Sequence, residues 1–185
     1  MDQAGTRLAA AITEKLQRLG FTNGTFEVHL QEAVPGPRGA DQAEFCFAPN
    51  PGENLLPLRQ IASSGEIARV MLAVKTILSQ ADRVPILIFD EVDANIGGRV
   101  AVKVATELAA IARHHQVLCI SHLPQIAAGA AHHYRVTKTV TKEGRTLTGM
   151  NLLSAGEREA EITRMLGADE NSATAREHAR EMLRR

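Results

Sequence analysis

Two short, continuous apolar runs constrain the fold of this chain more than any other feature. Residues 86–89 and 117–120 are each apolar throughout and have the length of a single strand. Such runs are typical of parallel strands that are covered on both faces. Between them, after Gly97-Gly98, apolar residues recur at helical spacing up to Ile111. Strand, helix and strand in this order predict a βαβ unit with a right-handed crossover.

The rest of the chain divides into an antiparallel start and a mixed end. Helical periodicity predicts a helix over 5–19, and alternation predicts strands around 26–31 and 45–47, with loops at 35–39 and 49–57. Later patterns predict helices over 65–80, 124–131, 154–166 and 172–184, and a hairpin of 133–141 with 145–152. We therefore predict an α/β fold: a mainly parallel sheet flanked by helices, with antiparallel strands near the start and a late hairpin.

Composition limits the classes of function. The 185 residues are 44% hydrophobic, which suits one domain with a real core. The 21 basic and 21 acidic residues give zero net charge, which argues against a broad nucleic-acid-binding surface. Cys46 and Cys119 are too few for a disulfide framework, and we expect buried thiols in a reducing cytoplasm. No apolar run approaches the ~20 residues of a membrane span.

Two adjacent carboxylates, Asp90 and Glu91, directly follow the first apolar run. Ligands collect at the carboxyl ends of parallel strands, so these acids are placed for chemistry. Asp90 there is suited to hold a magnesium ion through water, and Glu91 to act on a water molecule as a general base. The alternative is an ordinary strand end with two solvated acids.

A run of small residues, Ser63-Ser64-Gly65-Glu66, opens the predicted 65–80 helix. Backbone amides at a helix N-terminus favour a phosphate group, and small side chains allow it to approach closely. The alternative for Ser63 is simple capping of the helix, because serine is a preferred N-cap residue.

A histidine follows the second apolar run, as Ser121-His122. This position predicts that His122 lies on the same sheet edge as Asp90 and Glu91, where it can sense a terminal phosphate through a hydrogen bond. A lone histidine is also a common structural residue. The pairs at 114–115 and 132–133 have no acid or cysteine partner at metal-ligand spacing.

The three motifs at 63–66, 90–91 and 121–122 follow one another in the order typical of an ATP-hydrolysing domain, but the phosphate-binding loop that should precede them does not occur. A phosphate-binding loop ending in Gly-Lys-Ser/Thr is missing, since no lysine in the chain follows a glycine in that pattern. In this order, and with 58–66, 88–98 and 120–127 as the matching stretches, the chain resembles the ABC-type ATPase heads of the SMC-like group. The histidine followed by Leu-Pro-Gln points to a bacterial DNA repair branch of that group.

The resemblance implies roles for the residues already singled out. Ser63, Ser64, Gly65 and Glu66 match the signature loop, which contacts the γ-phosphate of ATP bound to the opposite head. Asp90 matches the Walker B aspartate that binds Mg²⁺, Glu91 the catalytic glutamate, and His122 the switch histidine. The implied cofactors are ATP and Mg²⁺.

The resemblance also implies partners and domain limits. It implies the Walker A half of the same head, a second head in a homodimer, and DNA contacted through the full-length protein, with no membrane and a cytoplasmic, nucleoid-associated location. Residues 1–20 would end a coiled coil, so that Met1 is not the natural start, and 21–185 would form the C-terminal lobe of the head. We expect the chain alone to be inactive, because Walker A is absent.

Two positions depart from the family pattern. Ser64 stands where the family usually has glycine, and its hydroxymethyl group would either crowd the phosphate or add a hydrogen bond to it. Gly97 lies near the usual place of a D-loop aspartate, so that role is not carried over.

A second hypothesis follows: a non-catalytic interaction or DNA-bridging module with vestigial ATPase motifs. Either way, half of a split sheet would expose apolar surface and promote self-association.

Overall fold

The chain divides into two compact units. A computed structural model describes residues 3–37, 39–169 and 172–184; the first unit ends at Ile120 and the second begins at Ser121. Parts of three predicted segments lie outside the described residues: Met1 and Asp2 of the predicted coiled-coil end, Arg38 of the predicted 35–39 loop, and residues 170, 171 and 185 of the predicted lobe.

The order of elements in the first unit alternates helices with two small sheets. These elements are α1 (Gln3–Arg18), β1 (Thr25–Gly36), β2 (Gly39–Ala48), β3 (Leu56–Pro57), a 3₁₀ turn (Leu58–Gln60), α2 (Ser64–Leu78), β4 (Ile86–Phe89), α3 (Gly98–Ile111) and β5 (Gln116–Cys119). The second unit contains α4 (Pro124–Ala128), β6 (Tyr134–Val140), β7 (Thr146–Leu152), α5 (Ala155–Met165) and α6 (Ala173–Leu183).

The antiparallel start of the chain is confirmed. Strands β1, β2 and β3 form one sheet in that order, and both strand pairs are antiparallel. Phe26 stands opposite Phe47, which puts two buried aromatic residues at the base of the sheet. The connection between β1 and β2 is shorter than the predicted loop, because pairing continues as far as Gly36 opposite Gly39.

The core of the first unit forms where α1, α2 and the sheets meet. Helix α1 packs against β1 and α2, and its Ile12 and Leu16 are fully buried. The rings of Phe21 and Phe47 meet edge to face with 5.0 Å between centroids. Helix α2 in turn packs against α3. Aliphatic residues therefore fill most of this core, as a chain with 3% aromatic residues requires.

The parallel βαβ unit is present, but only one face of its sheet is buried. Strands β4 and β5 pair in parallel, with Phe89 opposite Cys119. Leu87 and Phe89 point into the core with 7% and 5% exposure, whereas Ile88 and Ile120 are 70% and 62% exposed. The expectation of cover on both faces was wrong for the described residues. An apolar run shows only that both faces of the strand carry apolar side chains. The segments that cover each face come from other parts of the fold.

The second unit confirms the predicted hairpin and helices. Strands β6 and β7 pair antiparallel, and the turn is closed by the Thr141 N–H, which donates to the Arg145 carbonyl at 2.8 Å. The predicted capping box opens α5, where the Ser154 N–H donates to the Glu157 carboxylate at 2.8 Å. Ile162 and Ala179 are fully buried between the helices. None of the described helices has the length and apolarity to cross a membrane.

The exposed sheet face predicts an asymmetric response to substitution. Ile88→Thr should change the free energy of unfolding by less than about 0.5 kcal/mol, because this side chain is already in water. Phe89→Ala, one residue along the strand, should cost about 3–5 kcal/mol because it empties a buried site. Urea unfolding measures both. Sedimentation velocity should also show less self-association for Ile88→Thr, and an equally large stability loss in both variants would contradict the one-sided burial.

Candidate functional site

The chain turns sharply where β4 ends, and this turn carries the two predicted carboxylates. Asp90 and Glu91 are exposed, whereas Val92 and Asp93 directly after them are buried. The Ala94 N–H donates to the Glu91 carbonyl at 2.9 Å and closes the turn. Glu91 has a φ of 56°, in the left-handed region that a residue with a Cβ rarely adopts. The fold therefore holds the Glu91 backbone in a strained conformation, which is common at functional sites.

The second predicted motif begins α2. Ser63 is the N-cap residue, and its Oγ accepts the Glu66 N–H at 3.3 Å. The capping interpretation of Ser63 is thus confirmed. Glu66 in the first turn interacts favourably with the positive end of the helix dipole. Capping uses only one acceptor lone pair of the Ser63 hydroxyl and leaves its O–H free of that bond. A contact of Ser63 with a phosphate therefore stays a prediction.

The structure brings the first two motifs together. The Ser64 hydroxyl donates a hydrogen bond to the Glu91 carboxylate. Ser64, Asp90 and Glu91 also line one cleft of about 460 Å³, whose walls come from α2 and β4. Most of the remaining wall is apolar, from Ile67, Ala68, Met71, Leu87, Ile88 and Phe89. The position at which this chain departs from the usual glycine therefore contacts the predicted general base directly.

Gly65 lets α2 approach the turn after β4. A Cβ at this position would lie 2.7 Å from the Ala94 Cβ and 3.1 Å from the Glu91 carbonyl oxygen. Both distances are too short for ordinary packing, so any larger side chain would push the helix and the turn apart. The glycine is thus required here by contact within the chain, in addition to any contact with a ligand.

Sequence reasoning missed Arg69, which joins α2 to the same turn. Its side chain is 6% exposed, and its Nη1 donates to the Ala94 carbonyl at 2.9 Å and, less closely, to the Val92 carbonyl at 3.5 Å. The signal available in the sequence was spacing: Arg69 is four residues after Gly65, so both lie on one face of the helix. An arginine inside an otherwise apolar stripe is an unusual core residue.

Negative charge at the carboxyl end of β4 affects the neighbouring strand. Burial, together with the negative charges of Asp93 and Asp90, raises the pKa of the Cys119 thiol to about 12. Burial likewise raises the pKa of the Cys46 thiol. Both cysteines are free, as predicted. Their thiols are therefore protonated at neutral pH, and neither is suited to act as a nucleophile.

His122 belongs to the second unit, so its position beside Asp90 and Glu91 stays a prediction. It is exposed and precedes α4, which begins with Pro124 in the first turn. The Ser121 Oγ accepts the Leu123 N–H at 3.1 Å and shapes this connection. Within the described residues, no group of three or more His, Cys, Asp or Glu side chains is placed to hold a metal ion. A carboxylate that holds Mg²⁺ through water does not need such a group.

Comparison with solved structures defines the class of fold. One similar structure is the Smc head domain of Pyrococcus furiosus, solved with an extended coiled coil and bound to the C-terminal domain of ScpA. The superposition covers 86% of this chain and 37% of the Smc chain, with a TM-score of 0.58 at 19% identity. A second similar structure comes from work on ATP-driven dimerization and DNA-stimulated activation of SMC ATPases. The superposition covers 90% of this chain and 95% of the other chain, with a TM-score of 0.54 at 18% identity. The chain has the α/β fold of the C-terminal half of an SMC-type head.

Sequence comparison narrows this class to one group of proteins. The chain is 43% identical to the DNA repair protein RecN of Xylella fastidiosa over 96% of its length, and 45% identical to RecN of Deinococcus radiodurans over 99%. It spans about a third of these relatives, at 33% of each. No protein-family model matches the chain. The chain is a homologue of the C-terminal part of the DNA repair protein RecN, and it has the fold of an SMC-type head.

The contact between α2 and the turn gives a test of this geometry. Gly65→Ala should lower the free energy of unfolding by about 1–3 kcal/mol, because the new methyl group overlaps Ala94. Gly156→Ala in α5 is the matched control: a Cβ there meets nothing within 4 Å, and alanine is the better helix former. Urea denaturation of both variants provides the measurement. Equal stability of the two variants would show that α2 does not pack closely on the turn.

Proposed function

We propose that this chain is the signature and Walker B half of an ATPase head that acts in recombinational repair of DNA double-strand breaks. The observation that carries the proposal is the cleft in which Ser64, Asp90 and Glu91 meet at the carboxyl end of a parallel strand. The 40–45% identity to RecN proteins supports the same conclusion. Two such heads, each completed by a Walker A half, would sandwich ATP in a homodimer that contacts DNA.

The chemical roles follow from the position of each side chain. Glu91 accepts a proton from the attacking water, whose oxygen bonds to the γ-phosphorus as the bond to the bridging oxygen breaks, releasing ADP and phosphate. Asp90 is exposed at the strand end and offers the hard oxygen ligands that suit Mg²⁺. When bound, Mg²⁺ neutralises charge on the phosphate oxygens. His122 would sense the γ-phosphate as the switch residue.

The N-terminus of α2 is suited to the partner head's nucleotide. Ser63 caps this helix, and Ser64, Gly65 and Glu66 form its first turn, where backbone amides and the helix dipole favour an anion. We assign these residues to the γ-phosphate of ATP held by the opposite head. SMC ATPases have been studied for ATP-driven dimerization, which agrees with a site shared by two heads.

The exposed face of the β4–β5 pair supports a missing half of the same head. Ile86, Ile88, Leu118 and Ile120 form an apolar surface on two adjacent parallel strands. Parallel sheets are normally covered on both faces, so this surface fits a covering lobe. The Walker A half is the partner that we assign to it.

We also assign the assembled protein to the cytoplasm, at the nucleoid. We assign residues 1–20 to the end of its coiled coil.

ATP turnover by the assembled head tests the proposal. This chain should be inactive alone and should hydrolyse ATP after co-purification with a segment that carries the Walker A half. Glu91→Gln should keep ATP binding but lower kcat by about 10²–10⁴-fold, because it removes the general base and keeps the shape of the side chain. Steady-state phosphate release and nucleotide binding measure the two quantities.

A conservative change elsewhere supplies the control. Glu53→Gln alters an exposed loop acid whose contact is with Asn50, so turnover should not change. Unchanged turnover in Glu91→Gln would exclude Glu91 as the base. No turnover in a well-folded wild-type assembly would favour a non-catalytic interaction or DNA-bridging module, and the engagement of Ser64 with Glu91 within the chain is the observation that favours it.

Ser64 gives a second, separable test. The carboxylate oxygen of Glu91 that accepts the Ser64 hydroxyl is less available to accept a proton from water. Ser64→Gly should therefore raise kcat of the assembled head by roughly 2–5-fold, the scale of one modest hydrogen bond. Ser64→Ala distinguishes the causes: it should raise kcat equally if the hydroxyl is responsible, and leave it unchanged if bulk beside the phosphate is responsible. A fall in both variants would show that the hydroxyl assists Glu91.

A further inference from the structure

Arg69 is a buried cation that contacts the turn after β4 and the core beneath it. Its guanidinium carbon lies 5.0 Å from the ring centroid of Phe21, in a cation–π arrangement. Its Nη1 donates to the carbonyls of Ala94 and Val92 at 2.9 and 3.5 Å. The side chain thus reaches from α2 across the core to the backbone that follows Asp90 and Glu91.

Keeping this arginine in the core is costly. Burial lowers the pKa of Arg69, and the negative charge of Glu66 opposes that shift only in part. Its Nε has no hydrogen-bond partner among the described residues. An apolar side chain of similar length would fill the same space without desolvating a charge. The arginine therefore needs a reason beyond filling space, and the two carbonyls are the groups that only a donor can satisfy.

The turn needs an external support of this kind. Glu91 and Asn95 both have left-handed backbone conformations, with φ of 56° and 58°. Such residues stay in that region only where surrounding contacts hold them. The Arg69 bonds fall on Val92 and Ala94, which lie between the two strained residues.

We propose that Arg69 is a positioning residue for ATP hydrolysis: by holding the Val92 and Ala94 carbonyls, it keeps the turn in the conformation that aims Glu91 into the cleft. The inference rests on the proposed function and adds to it a residue that lies on α2, away from the reacting atoms. Gly65 brings α2 close to the turn and Ser64 contacts Glu91 itself, whereas Arg69 supports the backbone beneath.

Three variants of the assembled head separate positioning from general stability. Arg69→Met keeps the length and the packing on Phe21 but removes the donors, and it should lower kcat by roughly 10–100-fold, the cost of a misplaced catalytic group, with KM for ATP within about 3-fold. Arg69→Lys keeps a charged donor and should recover part of the loss. Val70→Ala also removes buried side-chain volume from α2 but no hydrogen-bond donor, and it should keep kcat.

Amide exchange in this chain supplies a readout that does not depend on hydrolysis. The Ala94 amide, bonded to the Glu91 carbonyl, should exchange several-fold faster in Arg69→Met than in wild type. Its exchange rate should be unchanged in Val70→Ala. Wild-type kcat in Arg69→Met, or an equal loss in Val70→Ala, would overturn the inference. Unchanged exchange at Ala94 would overturn it as well. If the wild-type assembly does not hydrolyse ATP, the proposed function fails while the exchange experiment still decides whether Arg69 holds the turn.

Discussion

One-sided burial of the parallel strand pair is the constraint on which the rest of the structure depends. Leu87 and Phe89 of β4 enter the core that α1, α2 and α3 help to build, and this fixes where the strand ends. The end of β4 in turn fixes where Asp90 and Glu91 leave the sheet. Removing apolar surface from water is the dominant favourable term in folding, so the position of the carboxylates is set by side chains that take no part in chemistry.

Close contact between α2 and the turn converts this strand end into a site. Gly65 permits the approach, Ser64 bonds to the Glu91 carboxylate, and Arg69 satisfies the carbonyls of Val92 and Ala94. These are three different interactions: steric, hydrogen-bonding and charge-assisted. Together they place a helix N-terminus beside two carboxylates, which is the arrangement on which the proposed phosphate and cation roles depend. The residue with the left-handed backbone, Glu91, lies within this set of contacts.

Local sequence patterns predicted most of the elements, since they depend on neighbours along the chain. The periodicity over 65–80, the alternation near Phe26 and the capping box at Ser154 each correspond to the observed α2, β1 and α5. Of the candidate site residues, Ser64, Asp90 and Glu91 line one cleft, and their roles there stay predictions. The relation of His122 to them also stays a prediction, because His122 lies in the second unit. Arg69 was missed because its role depends on carbonyls more than twenty positions away.

The sequence by itself determined the order of elements, the strand-end position of the carboxylates and the absence of a Gly-Lys-Ser/Thr loop from this chain. These follow from periodicity and residue type, which are local properties. Only the tertiary structure decided that one sheet face is exposed, that Ser64 contacts Glu91 and that Arg69 donates to the Ala94 carbonyl. Each of these depends on which distant segments come within a few ångströms of one another, and that is set by packing of the whole core.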